Sequence, residues 1–443
     1  MKRSPRSIRS RHISRTNENS RFVINGLGGK RALSGEVIIG GAKNAALKLM
    51  AASVLFKNKV ILENVPEIED IKRMSDLLNA IGVVVSKKKT GVYDLRVGRR
   101  CSTSLLDDIS KRFRASIVLS GPLLARFGKV SFPHPGGCLI GERPIDIFLD
   151  GFRKMGAQIK ESKGRYLFTA TGGTLTGTTI HMRQQSVTAT ETFMMAGVLA
   201  SGETVIKNAS LEPEIEDLAK FLIDGGASIT GIGTTTIRIC GGGLLTALSP
   251  HRVLPDRIEA GSYLILAALA GKDVKITNCN PWHLELLIEL LRDSGVGIVV
   301  SGDTVTVTGE QGTLKSFDLK THEYPGFPTD LQAPMTVFLT QTEGEGKVFE
   351  TIFEGRLGYA EALASMGADI IAMDAHRIIV KGPSSLHGKT LESPDLRAGL
   401  AFVIAAIIAK GISIIHNVYN IDRGYDHVEK KLRAIGVDIK RLR

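Results

Sequence analysis

The sequence predicts an α/β (α+β) protein of two lobes, an inside-out α/β barrel. Six βαβαββ repeats, three to a lobe, keep their helices buried and their sheets outermost. Three observations predict it. The segments LLNAIGVVV, FRKMGAQI, FLIDGGASI, LLRDSGVGIVV, LASMGADII and LRAIGVDI each run from helical periodicity through a glycine into an extended stretch. Their glycines (Gly82, Gly156, Gly226, Gly295, Gly367 and Gly436) recur at spacings of 74, 70, 69, 72 and 69 residues. Apolar helices over 45–55, 192–200 and 260–270 carry apolar residues around most of the axis, as a helix inside a core does. Finally, 443 residues, 43% of them hydrophobic, can bury a sizeable core, and units of ~70 residues are too long for a solenoid period.

Within a unit, a strand ending near asparagine comes first: VILENV, TVIKNAS, VKITNCN and SIIHNVY. Two units then share the string Glu-Ile-Glu-Asp after a proline, at 66–70 and 213–217. The helix that follows ends at the marker glycine, which reads as a cap with positive φ, where a Cβ would clash. The boundary between lobes falls near Leu254, where Ser249-Pro250 and Leu254-Pro255 follow the glycines of 241–243.

The formal charge of +12 suggests a nucleic-acid binder until its distribution is read. Half of it sits in residues 1–21, a serine-rich stretch holding Lys2, Arg3, Arg6, Arg9, Arg11, Arg15 and Arg21 against Glu18. That stretch reads as a disordered basic tail, with an organelle transit peptide as the minority reading. Aromatic residues are 5% of the chain, with Trp282 the one tryptophan, which argues against stacking platforms for single strands. The longest apolar run, 398–409, is shorter than the ~20 residues that span a bilayer. No nucleic acid and no membrane partner is expected, and the location expected is cytoplasmic. Cys101, Cys138, Cys240 and Cys279 form neither a disulfide framework nor a CxxC metal site. Cys240 and Cys279 read as inert core thiols.

Four groups could carry chemistry. Gly40-Gly41-Ala42-Lys43-Asn44 follows a strand and opens a helix, so free N–H groups and a lysine could meet an anion. An ordinary strand–helix turn would look the same. Pro133-His134-Pro135-Gly136-Gly137-Cys138 is a loop with room to move, and Arg143 five residues beyond the thiol can depress its pKa. Arg114, Arg356, Arg397 and Arg423 are each unremarkable alone; converging, they would clamp phosphate and carboxylate through their planar forks. In Phe327-Pro328-Thr329-Asp330, the aspartate could cap the next helix, and a role as base needs partner geometry.

Taken in order, GAKNAAL, RASI…GPLLARFG, PGGCxIGxRPxD, RVLPDRIE, FPTDxQA, DLRA and IDRGY resemble the enolpyruvyl transferases, in particular the branch that acts on UDP-N-acetylglucosamine. The likeness runs from about Phe22 to Leu442. It implies transfer of the enolpyruvyl group of phosphoenolpyruvate to the sugar 3′-hydroxyl, by addition and elimination through a tetrahedral ketal, with phosphate released. It also implies a place at the first committed step of peptidoglycan synthesis. Under it, Lys43, Arg143 and Arg423 would hold phosphoenolpyruvate, and Arg114 and Arg397 would complete the basic cleft. Asn44 and Asp330 would contact the sugar, with Asp330 the general base, and Ile352 would belong to the same substrate site. Arg143, Pro144, Ile145 and Asp146, with Ser186, Val187 and Thr188, would lie by the nucleotide. Cys138 would act as general acid at C3, form a covalent adduct, or aid product release. No metal and no cofactor is implied. The expected division is a tail, 1–21; one lobe of 22–42 plus 254–443; and a cysteine-loop lobe of 43–253.

The chain departs from that family's usual pattern at several positions. Lys48 stands in place of a proline, Phe148 of a histidine, and Thr188 of a glycine. Gly355, Tyr359 and Asn420 replace residues that are commonly Asn, His and His. The competing readings are enolpyruvyl transfer to shikimate 3-phosphate, an inactive UDP-sugar-binding paralogue, and an RNA-processing member of the same architecture.

Overall fold

The computed structural model describes residues 20–111, 114–134, 144–309 and 312–443. All six marker glycines adopt positive φ, between 83° and 108°, each one residue beyond the C-cap of a helix. The asparagines ending the repeat strands, Asn64, Asn208, Asn278 and Asn417, also sit at positive φ, between 52° and 60°. Asparagine tolerates this region because its short amide bonds nearby groups. Asn64 donates to the Val253 carbonyl at 2.9 Å and Asn208 to that of Met182 at 3.1 Å.

Two kinds of helix alternate. Lys43–Ala52, Val187–Gly197, Arg257–Ala270, Gln332–Leu339 and Leu396–Ile408 are buried around nearly their whole circumference. Glu69–Ala80, Asp146–Lys154, Pro213–Asp224 and Glu285–Asp293 instead bury one face and show charged residues on the other. Outside them lie six separate sheets, five of four strands and one of three, among the described residues. Strand alternation sends Ile237 and Ile239 inward and turns Cys240 out to solvent, so Cys240 is not the core thiol expected. Cys279 is buried as expected, and burial pushes its thiol up to about 11.

Buried side chains form two clusters. One joins Phe22, Ile24, Leu33, Val37 and Ile39 to residues from Ile258 to Ile439; the other runs from Ala42 to Val253. Sheet pairing follows the same division. Arg21–Asn25 pairs antiparallel with Ile412–His416 and Asp438–Leu442, and Leu33–Ile38 pairs parallel with Gly271–Thr277. The folded chain begins before the expected end of the tail. Ser20 is buried, its carbonyl accepts from the Val418 N–H, and Arg21 opens the first strand. The rest of the expected tail lies outside the described residues.

The clusters meet where the chain crosses between them twice. The Ala42 N–H donates to the Leu254 carbonyl at 2.7 Å, and the Asp256 N–H to that of Gly40 at 2.9 Å. Gly41 is required there, since a Cβ would lie 1.7 Å from the Asn64 carbonyl oxygen. No described helix is long and apolar enough to cross a membrane.

A candidate active site between the two clusters

Asp256 organises the crossing. Its Oδ1 accepts from the N–H groups of Ile258 and Glu259 at 2.8 and 2.9 Å, capping Arg257–Ala270. Its Oδ2 accepts from the backbone N–H of Lys43 at 3.1 Å. One side chain thereby places the N-termini of two buried helices, one from each cluster, side by side. Asp256 lies within RVLPDRIE, and nothing in that string predicts this task.

Lys43, the first residue of its helix, points its Nζ at Asp70 Oδ2, 2.8 Å away. Asp70 Oδ1 accepts from Arg423 Nε at 3.1 Å. Burial alone would raise the Asp70 carboxyl, but Lys43 and Arg423 outweigh it and hold the group below its ordinary value. The Lys43 ammonium is lowered, chiefly by burial; Asp70 opposes that, and Arg397 and Arg423 add to it.

Asp330 does not cap the helix after it. It sits inside the short 3-10 turn Thr329–Leu331, where no side chain caps, and is engaged by two arginines instead. Arg356 donates to Oδ1 at 2.8 Å; Arg397 donates to Oδ2 through Nη2 at 2.8 Å and Nε at 3.1 Å. Burial raises this carboxyl, and Arg397 and Arg356 then drive it far below the usual range. About a quarter of the side chain (27%) stays open to solvent, so the carboxylate can still be reached. Arg397 is placed by Asp395, which caps Leu396–Ile408, and its guanidinium lies over the Tyr425 ring at 5.2 Å. Among the described residues its buried Nη1 has no hydrogen-bond partner. Arg356 is among the arginines that could form a clamp but not among the expected site residues; its pairing with Asp330 is visible only in three dimensions.

Lys43 is therefore brought within electrostatic reach of Arg397, Arg423 and Asp330. Asn44 follows Lys43 in the first helical turn and is half-buried. Ile352 is tied to the Asp330 segment by Glu350, whose carboxylate accepts from the Ile352 N–H and the Thr329 hydroxyl, each at 2.8 Å. Ser186 caps Val187–Gly197 by accepting from the Ala189 N–H at 3.3 Å, which sets Val187 and Thr188 in the first turn. Pro144 and Asp146 are exposed and Ile145 buried at the start of Asp146–Lys154. Phe148 packs toward Phe193, ring centroids 6.2 Å apart, joining that helix to Val187–Gly197. Arg114 opens a 3-10 helix, Arg114–Leu119, that packs against the Lys43 helix. Cys138 and Arg143 lie outside the described residues, as do their contacts.

The departures have local partners. Lys48 pairs with the fully buried Glu191 at 3.1 Å, and the Tyr359 hydroxyl bonds Thr336 and Gln332 at 2.7 and 2.9 Å. Asn420 donates to the Ser393 carbonyl at 2.8 Å. Nothing in the structure explains Gly355.

The model of the EPSP synthase (3-phosphoshikimate 1-carboxyvinyltransferase) family matches residues 27–432. The chain is 44% identical to the UDP-N-acetylglucosamine 1-carboxyvinyltransferase of Koribacter versatilis, over 95% of this chain and 96% of that one. It is 41% identical to UDP-N-acetylglucosamine 1-carboxyvinyltransferase 2 of Clostridium tetani, over 96% of this chain and all of its relative. The fold is similar to that of the enolpyruvyl transferase NikO from Streptomyces tendae, with a TM-score of 0.85 at 24% identity, over 96% of this chain and 99% of that one. An EPSP synthase from Acinetobacter baumannii gives 0.73 at 21% identity, over 96% and 100%. With repeats, buried helices and full-length likeness agreeing, the chain belongs to the enolpyruvyl transferase family, among the UDP-N-acetylglucosamine 1-carboxyvinyltransferases.

Proposed function

We propose that the protein transfers the enolpyruvyl group of phosphoenolpyruvate to the 3′-hydroxyl of UDP-N-acetylglucosamine, releasing phosphate. One observation carries the reading: Lys43, held with Arg423 on Asp70, lies within electrostatic reach of Arg397, which grips the reachable carboxylate of Asp330. Three cations suit a small molecule bearing a phosphate and a carboxylate, and Arg397 Nη1 is a donor left over for it. In the addition step a proton is delivered to C3 of phosphoenolpyruvate, and C2 becomes electrophilic. The sugar oxygen bonds to C2 while Asp330 takes its proton. In the elimination step C3 gives up a proton, the C2–O bond to phosphate breaks, and phosphate leaves with that electron pair. The fixed cations offset charge on the ketal's phosphate and carboxylate without reorganising. Asp330 begins as a carboxylate paired to two arginines. Substrate anion drawing on Arg397 loosens that grip and makes the oxygen a better base.

Ile352, Asn44, Pro144, Ile145, Asp146, Ser186, Val187 and Thr188 are proposed to line the nucleotide-sugar site. Arg114 and Arg143 are proposed to extend the basic surface, and Cys138 to act beside C3 as acid, adduct former or release aid. The proposed lobes are 22–42 with 254–443, and 43–253; the two core clusters support that division. The proposed setting is the cytoplasm and the first committed step of peptidoglycan synthesis, with fosfomycin alkylating Cys138.

The test is phosphate release from phosphoenolpyruvate with each acceptor in turn. Turnover is expected with UDP-N-acetylglucosamine and not with shikimate 3-phosphate. Turnover with neither would leave a binding protein.

A further inference from the structure

Asp70 is the second residue of Glu69–Ala80, a helix whose Met74, Leu77 and Leu78 belong to the cluster running from Ala42 to Val253. Only 2% of it is exposed. Its two oxygens are divided between two cations, one from each cluster. Oδ2 takes Lys43, from the same cluster, and Oδ1 takes Arg423, which follows Tyr419–Asp422, whose Ile421 packs in the other cluster. Three residues along the same helix, Arg73 donates to the Tyr419 hydroxyl and lies over its ring at 5.4 Å. The helix and the 419–423 segment thus meet at two points, both bridging the clusters.

We propose that Asp70 is a positioning residue, a buried carboxylate that reaches across the junction and holds Lys43 and Arg423 side by side for the anionic substrate. The identity of that anion rests on the enolpyruvyl-transfer reading. An acid in a first helical turn needs only the helix N-terminus to account for it. That does not account for two cations converging on it from positions 27 residues before and 353 residues after it. Lys43 is repelled by Arg397 and Arg423, and burial penalises Lys43 and Arg397 further. One carboxylate between two of them offsets that repulsion before substrate arrives, and it must yield part of its hold when substrate comes. Asp70 acts through Lys43 and Arg423, and touches no reacting atom in this reading.

The groups facing Lys43 are Asp70 from its neighbouring helix, Arg397 and Arg423 from the other cluster, Asp330 beyond Arg397, and Asp256 at its backbone N–H. Of these Asp70 is the group that most favours the protonated amine. Replacing it with a neutral isostere leaves burial and two arginines acting in one direction, toward the free amine.

The experiment compares Asp70→Asn and Asp70→Ser with the wild-type chain. With unfolding midpoints confirming that the variants fold, kcat is expected to fall about 10- to 100-fold, as for a misplaced cation pair. The KM for phosphoenolpyruvate is expected not to rise, because the internal competitor for the cations is gone. The basic limb of kcat/KM is expected to move to lower pH, and Asp70→Glu to restore it. A KM that rises with kcat unchanged, or a basic limb that stays in place, would overturn the proposal. A second readout needs no turnover: the pH at which Lys43 becomes reactive to an amine-acylating reagent, followed by peptide mass. It should fall in Asp70→Asn. A wild-type chain without turnover would sink the functional reading, and unchanged Lys43 labelling would sink the role of Asp70.

Discussion

Asp330 shows how the same residue can satisfy a local rule and be used for something else. Its place just before a helix suggested a cap, but the structure spends both oxygens on Arg356 and Arg397. Two outcomes follow at this scale. Asp330→Ala is expected to lower turnover by roughly 10²–10⁴-fold, the range for a general base, while inorganic phosphate still binds the cations; equilibrium dialysis and steady-state rates measure both. The acid behaviour follows from the same pairs. Asp70 and Asp330 both have carboxyls held low in the folded chain, so each contributes stability above the ordinary carboxylate pKa of ~3.9. That contribution is lost as pH falls below it and the groups protonate. Unfolding midpoints of wild type should therefore decline more steeply in acid than those of Asp330→Asn.

Among the elements, the buried helices Lys43–Ala52 and Val187–Gly197 carry an ion pair where a core would ordinarily be apolar. Glu191 is wholly buried, and its carboxyl is raised to about 7, first by burial, against which Lys48 pulls down while Glu214 and Glu212 add to the rise. The linkage has the opposite sign to that of Asp330. The folded state binds this proton more tightly than the unfolded chain, so stability is greatest near pH 4 and declines as pH rises toward about 7. Glu191→Gln is expected to flatten that decline, measured as the difference in urea midpoint between pH 5 and pH 8. An equal slope in wild type and variant would show that Glu191 is ionised throughout. These helices were visible in the sequence from their all-round apolar pattern, and so were the glycines and asparagines that end each unit. Those signals are local: a left-handed residue or a buried turn is dictated by neighbours a few positions away. Asp70 was visible only as part of a repeated string. Its counterpart in the other copy, Asp217, faces His251 at 3.2 Å instead of a lysine, so the repeat predicts a position and not a partner.

For the whole molecule, the first strands fold into sheets completed by strands from Gly271 onward, and the two core clusters touch through the crossing at Gly40–Ala42 and Leu254–Asp256. Removal of residues 1–19 is expected to leave the unfolding midpoint and turnover unchanged. Removal of residues 1–21 should lower the midpoint, because Arg21 pairs with Leu442 and the Ser20 carbonyl with Val418. Thermal melts of the two truncations separate these outcomes. The sequence alone determined the six-unit plan, the inward helices and the family likeness, since each is written in periodicity or in contiguous motifs. Only the tertiary structure decided which cation answers which carboxylate: Asp330 with Arg356 and Arg397, Asp70 with Lys43 and Arg423. Charges act through space, and partners as far as 353 residues apart leave no trace in spacing that would pair them.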